Sequence, residues 1–111
     1  MPIYITQGRY TREAIKGMIV KPEDRFDALS KHVARAGGRL IGLYLTFGEY
    51  DFLSIIEAPG ENQIAAILLS AAGAGGITDL KTMLALSSVE AKGAFAAAGD
   101  LTHSFRTPGG A

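Results

Sequence analysis

The spacing of apolar residues predicts one strand and two helices in the first third of the chain. Segment 3–8 opens with four β-forming residues and predicts a strand. Thr11 has the character of a helix N-cap, and Pro22 interrupts the helical pattern that follows it. Beyond Pro22, the apolar residues that recur at helical spacing before Gly37 are Phe26, Leu29, Val33 and Ala36. We therefore predict a short helix, a break and a longer helix.

The next part of the chain predicts a β-hairpin. Segments 39–47 and 50–57 are rich in β-branched and aromatic residues, and Gly48-Glu49 between them suits a two-residue type II′ turn. Successive residues of a strand point to opposite faces of the sheet. One face is almost wholly apolar and should lie beneath the helices; it carries Ile41, Leu43, Leu45, Phe47, Tyr50, Phe52, Ser54 and Ile56. The other face is mixed; it carries Leu40, Gly42, Tyr44, Thr46, Asp51, Leu53, Ile55 and Glu57.

The last part of the chain predicts a helix, a strand and a final helix. The apolar stripe of the helix is Ile64, Ile67, Leu68 and Ala71. Segment 77–86 alternates as a strand does, and Ser87 with Glu90 forms a capping-box pattern that opens a helix ending near Gly99. The order β-α-β-β-α-β with a C-terminal helix is the ferredoxin-like α+β fold with an antiparallel sheet. We expect one domain over residues 1–99 and a flexible tail over residues 100–111.

The mixed face of the hairpin predicts self-association. Helices of this fold cover one face of the sheet, so the second face must be polar or must meet a partner. A face that carries Leu53 and Ile55 beside Asp51 fits a sheet that closes against another sheet around a small cavity. We therefore expect a homodimer or a larger closed oligomer. The formal net charge of zero offers little electrostatic protection against such pairing.

Composition narrows the classes of function. Eleven basic residues balance eleven acidic ones among the 111 residues, which argues against binding to nucleic acid or to an anionic membrane. The chain has no cysteine, and His32 and His103 lie far apart without acidic neighbours, so we expect no metal and no cofactor. The first residues do not resemble a signal peptide, and the longest apolar run is too short to span a membrane. We expect a cytoplasmic protein.

The hairpin also carries a recognisable motif. The sequence YLTFGEYDFLSIIE over residues 44–57 resembles the signature of the GYD domain family, with Glu49 standing between Gly48 and Tyr50-Asp51. Pro2, Tyr4 and Gly37-Gly38 agree with this resemblance, which covers roughly residues 2–98. The family is similar to the dimeric α/β-barrel proteins, in which two four-stranded sheets pack face to face. The resemblance implies a fold and a dimer and assigns no catalytic residue.

Asp51 is the first candidate for chemistry. On the mixed face it lies across from Thr46 and diagonal to Tyr44, and burial in a partly apolar barrel would raise the pKa of its carboxyl toward that of a general base. Tyr44 would then donate a hydrogen bond to a ligand oxygen. The alternative is structural, with Asp51 bonding backbone beside a tight turn and Tyr44 packing in the barrel. The candidate ligand contacts are Tyr4, Arg9, Thr46 and Leu53.

The sequence leaves three functions open. The first is a module that binds a small organic molecule. The second is a cofactor-independent isomerase or monooxygenase with Asp51 as the base. The third is a structural or regulatory dimer without a pocket, in which the open sheet face serves only as an interface.

Overall fold

A four-stranded antiparallel sheet and four α-helices make up the computed structural model, which describes residues 1–110. The elements are β1 (Ile3–Tyr10), α1 (Arg12–Val20), α2 (Arg25–Arg35), β2 (Arg39–Leu45), β3 (Phe52–Glu57), α3 (Glu61–Gly73), β4 (Ile77–Ala85) and α4 (Ser88–Leu101), followed by a 3₁₀ turn (Thr102–Ser104). The strands lie in the order β2-β3-β1-β4, and each neighbouring pair is antiparallel. The ferredoxin-like prediction is confirmed.

Side-chain caps fix where the helices begin. The Thr11 hydroxyl accepts a hydrogen bond from the Ala14 N–H at the start of α1. Asp24 caps α2 by accepting from the Phe26 N–H at 2.9 Å, so this helix begins three residues after Pro22. At α4, Ser87 and Glu90 bond each other's backbone N–H groups, which confirms the predicted capping box. The helix runs to Leu101, two residues beyond the predicted end at Gly99.

The main hydrophobic core lies between the sheet and the helices α2 and α3. Val33 of α2 and Ile67 of α3 are almost fully buried against Tyr4 of β1 and Ile56 of β3. Burial of an aliphatic side chain of this size contributes about 1.5–3 kcal/mol. The core is completed by Leu40, Ala58 and Ile64. Tyr4 belongs to this core, so it lies on the sheet face opposite the mixed one.

A bulge in β2 changes the predicted register at the start of the hairpin. Leu43 pairs with Ser54 and Gly42 with Ile55, as predicted, but Leu40 pairs with Ile56 instead of Glu57. The additional residue, Ile41, turns Leu40 onto the helix-covered face, where it is buried. The placement of Leu40 on the mixed face is therefore wrong. Ile41 is 42% exposed instead of lying beneath the helices.

The far end of the hairpin also departs from the prediction. Leu45 pairs with Phe52 as predicted, and one further bond joins the Thr46 N–H to the Asp51 carbonyl at 2.8 Å. The connection is therefore the four-residue segment 47–50 and not a two-residue turn. Leu45 and Phe47 are exposed because β2 is an edge strand whose end extends beyond the helices.

A second irregularity lies between β1 and β4. The register shifts between Gln7 and Arg9, and Asp79 adopts a left-handed backbone with φ of +55°. This shift pairs Thr78 with Arg9, so Thr78 does not share the face of Thr82, as strict alternation had predicted.

Helix α4 stands apart from the rest of the domain. None of its residues is buried, and its packing is confined to the 3₁₀ turn that follows it and to slight contacts elsewhere. The radius of gyration is 18.2 Å, and the longest dimension is 64 Å. A compact chain of this length has a radius of gyration of about 13 Å. The protein is thus a compact α/β sandwich with a protruding helical arm. The final residue of the predicted tail, Ala111, lies outside the described residues.

Within residues 1–110, no helix has the length and apolar character needed to cross a membrane.

Close packing at Gly38 gives a direct test of the fold. A Cβ at Gly38 would overlap the Glu57 carbonyl oxygen and press on Val33, whereas a Cβ at Gly17 in α1 would meet open space. We expect Gly38→Ala to destabilise the protein by about 1–3 kcal/mol, since backbone must move. Gly17→Ala should stabilise it by about 0.5–1 kcal/mol. Urea unfolding followed by circular dichroism measures both, and equal effects of the two substitutions would contradict the packing described.

Candidate functional site

A cavity of about 670 Å³ lies between the helices and the sheet. Helix α2 packs chiefly on β2, while α3 reaches toward β4, so the two helices leave a gap above the central strand β3. Phe52, Ser54 and Ile56 of β3 form its floor. Its walls come from α1, α2 and α3; they include Ala14, Met18, Ala28, Leu29, Ile67, Leu68 and Ala71. The cavity is therefore mainly apolar and lies on the face opposite the one predicted.

Ser54 is the polar group on the cavity floor. The residue is only 2% exposed, and none of the side-chain hydrogen bonds within residues 1–110 involves it. Its neighbour Thr6 differs, because the Thr6 hydroxyl lies 2.8 Å from the Thr82 hydroxyl. No side-chain nitrogen or oxygen sealed inside the described chain lacks a hydrogen-bond partner. The Ser54 hydroxyl is thus open to the cavity, where it can bond a guest molecule.

The Tyr10 hydroxyl is a second polar group, at the side of the cavity. Its ring centroid lies 5.2 Å from that of Phe52, which holds the phenol against the apolar wall. Burial raises the pKa of the Tyr10 phenol above its ordinary value, while Arg25 lowers it and Asp51 raises it. The phenol therefore stays protonated across the neutral range and is a hydrogen-bond donor.

His32, Lys21, Glu23 and Arg25 complete the cavity wall. The His32 Nε2 lies 2.7 Å from the Ser70 hydroxyl, which itself donates to the Ala66 carbonyl at 2.7 Å. Because that hydroxyl has a single proton, His32 is the donor in the arrangement in which Ser70 donates to the carbonyl, and the acceptor when Ser70 donates to the ring. Arg25 is paired with Glu23 at 2.9 Å. Lys21 adds a second cation, so Lys21 and Arg25 outnumber Glu23 among the charged residues of the lining and favour an anionic group.

A shallower groove of about 510 Å³ adjoins the cavity across Tyr10 and Leu43. It runs between α1 and the end of β2, and we call it the α1–β2 groove. Its apolar lining is Ile15, Met18, Ile19, Leu43, Leu45 and Phe47. The groove also brings together the predicted Tyr44, Thr46 and Asp51.

The polar residues of the groove have structural partners. One carboxylate oxygen of Asp51 accepts the Tyr10 backbone N–H at 3.0 Å. The Thr46 hydroxyl donates to the Tyr50 carbonyl at 2.8 Å. Asp51 thereby ties the end of β1 to the hairpin, while its second carboxylate oxygen remains free of protein hydrogen bonds within the described chain.

The remaining predicted contacts lie away from both spaces. Tyr4, a candidate ligand contact, packs in the hydrophobic core. It pairs with Ile56 and therefore faces the helices. Arg9 donates to the Glu49 carbonyl at 2.8 Å and lies over the Tyr50 ring. Leu53 pairs with Tyr44 on the open sheet face.

Sequence reasoning missed the main cavity and its polar residues. Ser54 was placed correctly on the helix-covered face, but only as one polar position in an apolar row. That solitary hydroxyl among buried apolar residues was the available signal. No sequence pattern indicates that Tyr10 and His32 line the cavity, because their positions depend on how far α1 and α2 separate from α3. In the part of the chain that the structure describes, no group of three or more acidic or histidine side chains could hold a metal ion.

Fold and cavity together define a ferredoxin-like α+β domain with an apolar cavity between its helices and its sheet. The model of the GYD domain family matches residues 4–95. The chain belongs to the GYD domain family, as its hairpin motif predicted. A search of curated proteins finds no significant sequence match.

Solved structures share the fold at low sequence identity. TTHA0845 from Thermus thermophilus is 16% identical, with a TM-score of 0.51, over 79% of this chain and 96% of that one. MtbAldR is 11% identical, with a TM-score of 0.55, over 78% of this chain and 52% of that one. A transcriptional regulator of Neisseria meningitidis, in complex with L-Met, is 13% identical, with a TM-score of 0.52, over 79% of this chain and 51% of that one. This chain thus spans about half the length of these last two proteins, and the likeness concerns the fold alone.

The half-buried phenol of Tyr10 predicts a dependence of stability on pH. Its folded pKa is raised, so its contribution to stability is fully present below the ordinary tyrosine pKa of about 10 and is lost as pH rises through the folded pKa. We expect unfolding free energies to fall more steeply above pH 10 in the native protein than in Tyr10→Phe. Urea titrations at pH 8–11 measure this difference. A constant difference between the two proteins over that range would contradict the burial of the phenol.

Proposed function

We propose that this protein is a homodimeric module that binds a small, mainly apolar molecule carrying one acidic group. The observation that carries the proposal is the cavity above β3 with the open Ser54 hydroxyl on its floor. Ligand sites of proteins are typically clefts of about 300–1,000 Å³ with apolar walls and a few polar groups. The cavity volume of about 670 Å³ falls within that range.

The polar side chains define how a ligand would be oriented in the cavity. Ser54 and Tyr10 offer hydroxyls beside the apolar floor, while Lys21 lies in the link between α1 and α2 and Arg25 lies at the start of α2. A carboxylate is attracted to this cationic side, and an apolar body fills the space over Phe52 and Ile56. The likeness in fold to a regulator crystallised with L-Met is consistent with a small ligand and says nothing of its identity here.

A binding role fits the described contacts better than the alternative of an enzyme that uses Asp51 as its base. The Asp51 carboxylate already accepts the Tyr10 backbone N–H, and it lies in the shallower groove instead of the main cavity. A structural dimer without a pocket is disfavoured by the volume of the cavity itself. The cytoplasmic location expected from the sequence remains part of this proposal.

The open sheet face supports the homodimer. Ile5, Leu53 and Ile55 lie at its centre, where β1 and β3 pair. Met83 is 45% exposed and Tyr44 is 58% exposed at its sides. A sheet face with an apolar centre is covered efficiently by a second copy of the same face, which is the usual isologous arrangement of two-fold dimers.

Filling the cavity should abolish ligand binding. Ala71 lines the cavity from α3, whereas Ala65 lies exposed on the same helix outside the cavity lining. With the fluorescent anion 1-anilinonaphthalene-8-sulfonate as the probe, we expect one site per chain. Ala71→Trp should weaken binding by about tenfold or more, equivalent to ~1.4 kcal/mol. Ala65→Trp is the matched control and should bind as the native protein does. Equal binding by both variants would place the probe elsewhere and refute the site.

A charge at the centre of the open sheet face should separate the dimer. Leu53→Lys would bury an ammonium group between the two sheets, which is unfavourable without a partner charge. Light scattering should give twice the chain mass of 11.7 kDa for the native protein and a single chain for the variant. Ala65→Lys adds the same charge on the outer side of α3 and should leave the dimer intact. A native protein that is monomeric at high concentration would rule out this part of the proposal.

A further inference from the structure

Helix α4 has an apolar side but no surface of its own chain to cover it. At helical spacing, one stripe contains Ala91, Ala94, Phe95, Ala98 and Leu101. Phe95 is 78% exposed and Leu101 is 64% exposed. The charged residues Lys92 and Asp100 lie away from this stripe, and Glu90, which belongs to the capping box, lies at its edge. The two large side chains are separated by alanines, so another surface could approach the helix closely between them.

An isolated helix of this kind is marginal in water. Helices shorter than about 12–15 residues rarely persist alone, and an interior glycine costs about 1 kcal/mol relative to alanine. Helix α4 has 14 residues and contains Gly93 and Gly99. Its capping box stabilises only the first turn. The arm therefore needs a packing partner to be a stable helix.

The α1–β2 groove is the matching uncovered surface. Ile19 is 73% exposed, Leu45 is 67% exposed and Phe47 is 95% exposed along this groove. These side chains lie outside the open sheet face that the proposed dimer covers. Each chain thus carries one uncovered apolar arm and one uncovered apolar groove.

We propose that α4 of each copy packs into the α1–β2 groove of the partner copy and closes it. Phe95 and Leu101 of the arm would contact Leu45, Phe47 and Ile19 of the partner's groove. The groove that holds Asp51 and Thr46, and that adjoins the main cavity at Tyr10, is then completed by the second chain. This inference rests on the self-association proposed above and does not depend on the ligand.

Sheet topology supports this reciprocal packing of α4 on the partner copy, which we call the exchange. Strands β2 and β4 are the two edges of the sheet. When two such sheets stack about 10 Å apart with the two-fold axis parallel to the strands, β4 of one copy faces β2 of the other. Ala85 and Arg39 lie at the same end of the sheet, since β4 pairs with β1 at Ile3 and β2 pairs with β3 at Glu57. The arm of one copy therefore starts near the beginning of the partner's β2.

Lengths and areas also fit. A helix of 14 residues is about 21 Å long, and a strand of seven residues is about 23 Å long. The arm can thus run along β2 to the groove at its far end. Half of the lateral surface of such a helix is about 330 Å². Each contact buries about this area on the helix and again on the groove, so two reciprocal contacts bury about 1,300 Å² in total, within the range of stable interfaces.

Cysteine cross-linking tests the exchange without background, because the chain has no native cysteine. Full-length Ala98→Cys and Leu45→Cys chains with different affinity tags are co-expressed, and mixed dimers are oxidised. We expect a disulfide between the two different chains. The matched control, Ala96→Cys with Leu45→Cys, places the thiol on the opposite side of α4 and should give at least fivefold less product.

A single chain carrying both Ala98→Cys and Leu45→Cys separates the remaining outcomes. The exchange predicts a covalent dimer in denaturing gels without reductant. A cross-linked monomer would show that the arm folds onto its own domain, and linkage only between two Ala98→Cys chains would show that arms pair with each other. Either result overturns the inference while leaving the sheet-to-sheet dimer in place. A protein that is monomeric by light scattering overturns both, whereas loss of probe binding alone bears only on the ligand.

Discussion

The pairing of β3 with both β2 and β1 is the interaction on which the rest of this structure depends. The strand alternates between buried and half-buried residues along its whole length. On one side Ile56 anchors the core against Val33 and Ile67, and on the other side Leu53 and Ile55 give the open face its apolar centre. Because side chains alternate along a strand, fixing β3 fixes both surfaces at once. The floor of the cavity is set by the same pairing.

Two local irregularities then decide which residues reach which surface. The bulge at Ile41 moves Leu40 into the core and leaves the rest of the predicted hairpin register intact. The shift at Asp79 similarly redirects Thr78 toward Arg9. A bulge costs little in an edge strand, and β2 and β4 are both edge strands. The two central strands pair with each other without such an interruption.

The cavity arises from incomplete coverage of the sheet by the helices. Helices α2 and α3 are each drawn to the sheet by a short row of buried residues, chiefly Val33, Ile64 and Ile67. Ser54 and Phe52 lie on the floor of the space that these helices leave, and α1 contributes no buried residue. A cavity and an adjoining groove are the result. The protruding α4 and the exposed end of β2 likewise carry apolar side chains that no other part of the described chain covers.

The sequence by itself determined the order of elements, the caps of α1 and α4, the hairpin register from Gly42 to Leu45 and the family. These features depend on residues close together in the chain, whose spacing and capping chemistry are local. The tertiary structure alone decided the bulge at Ile41, the place of Tyr4 in the core and the cavity at Ser54. Each of these depends on how far helices stand from the sheet and on which strands lie at its edges. Such distances result from the packing of segments remote in sequence, which no local pattern of residues encodes.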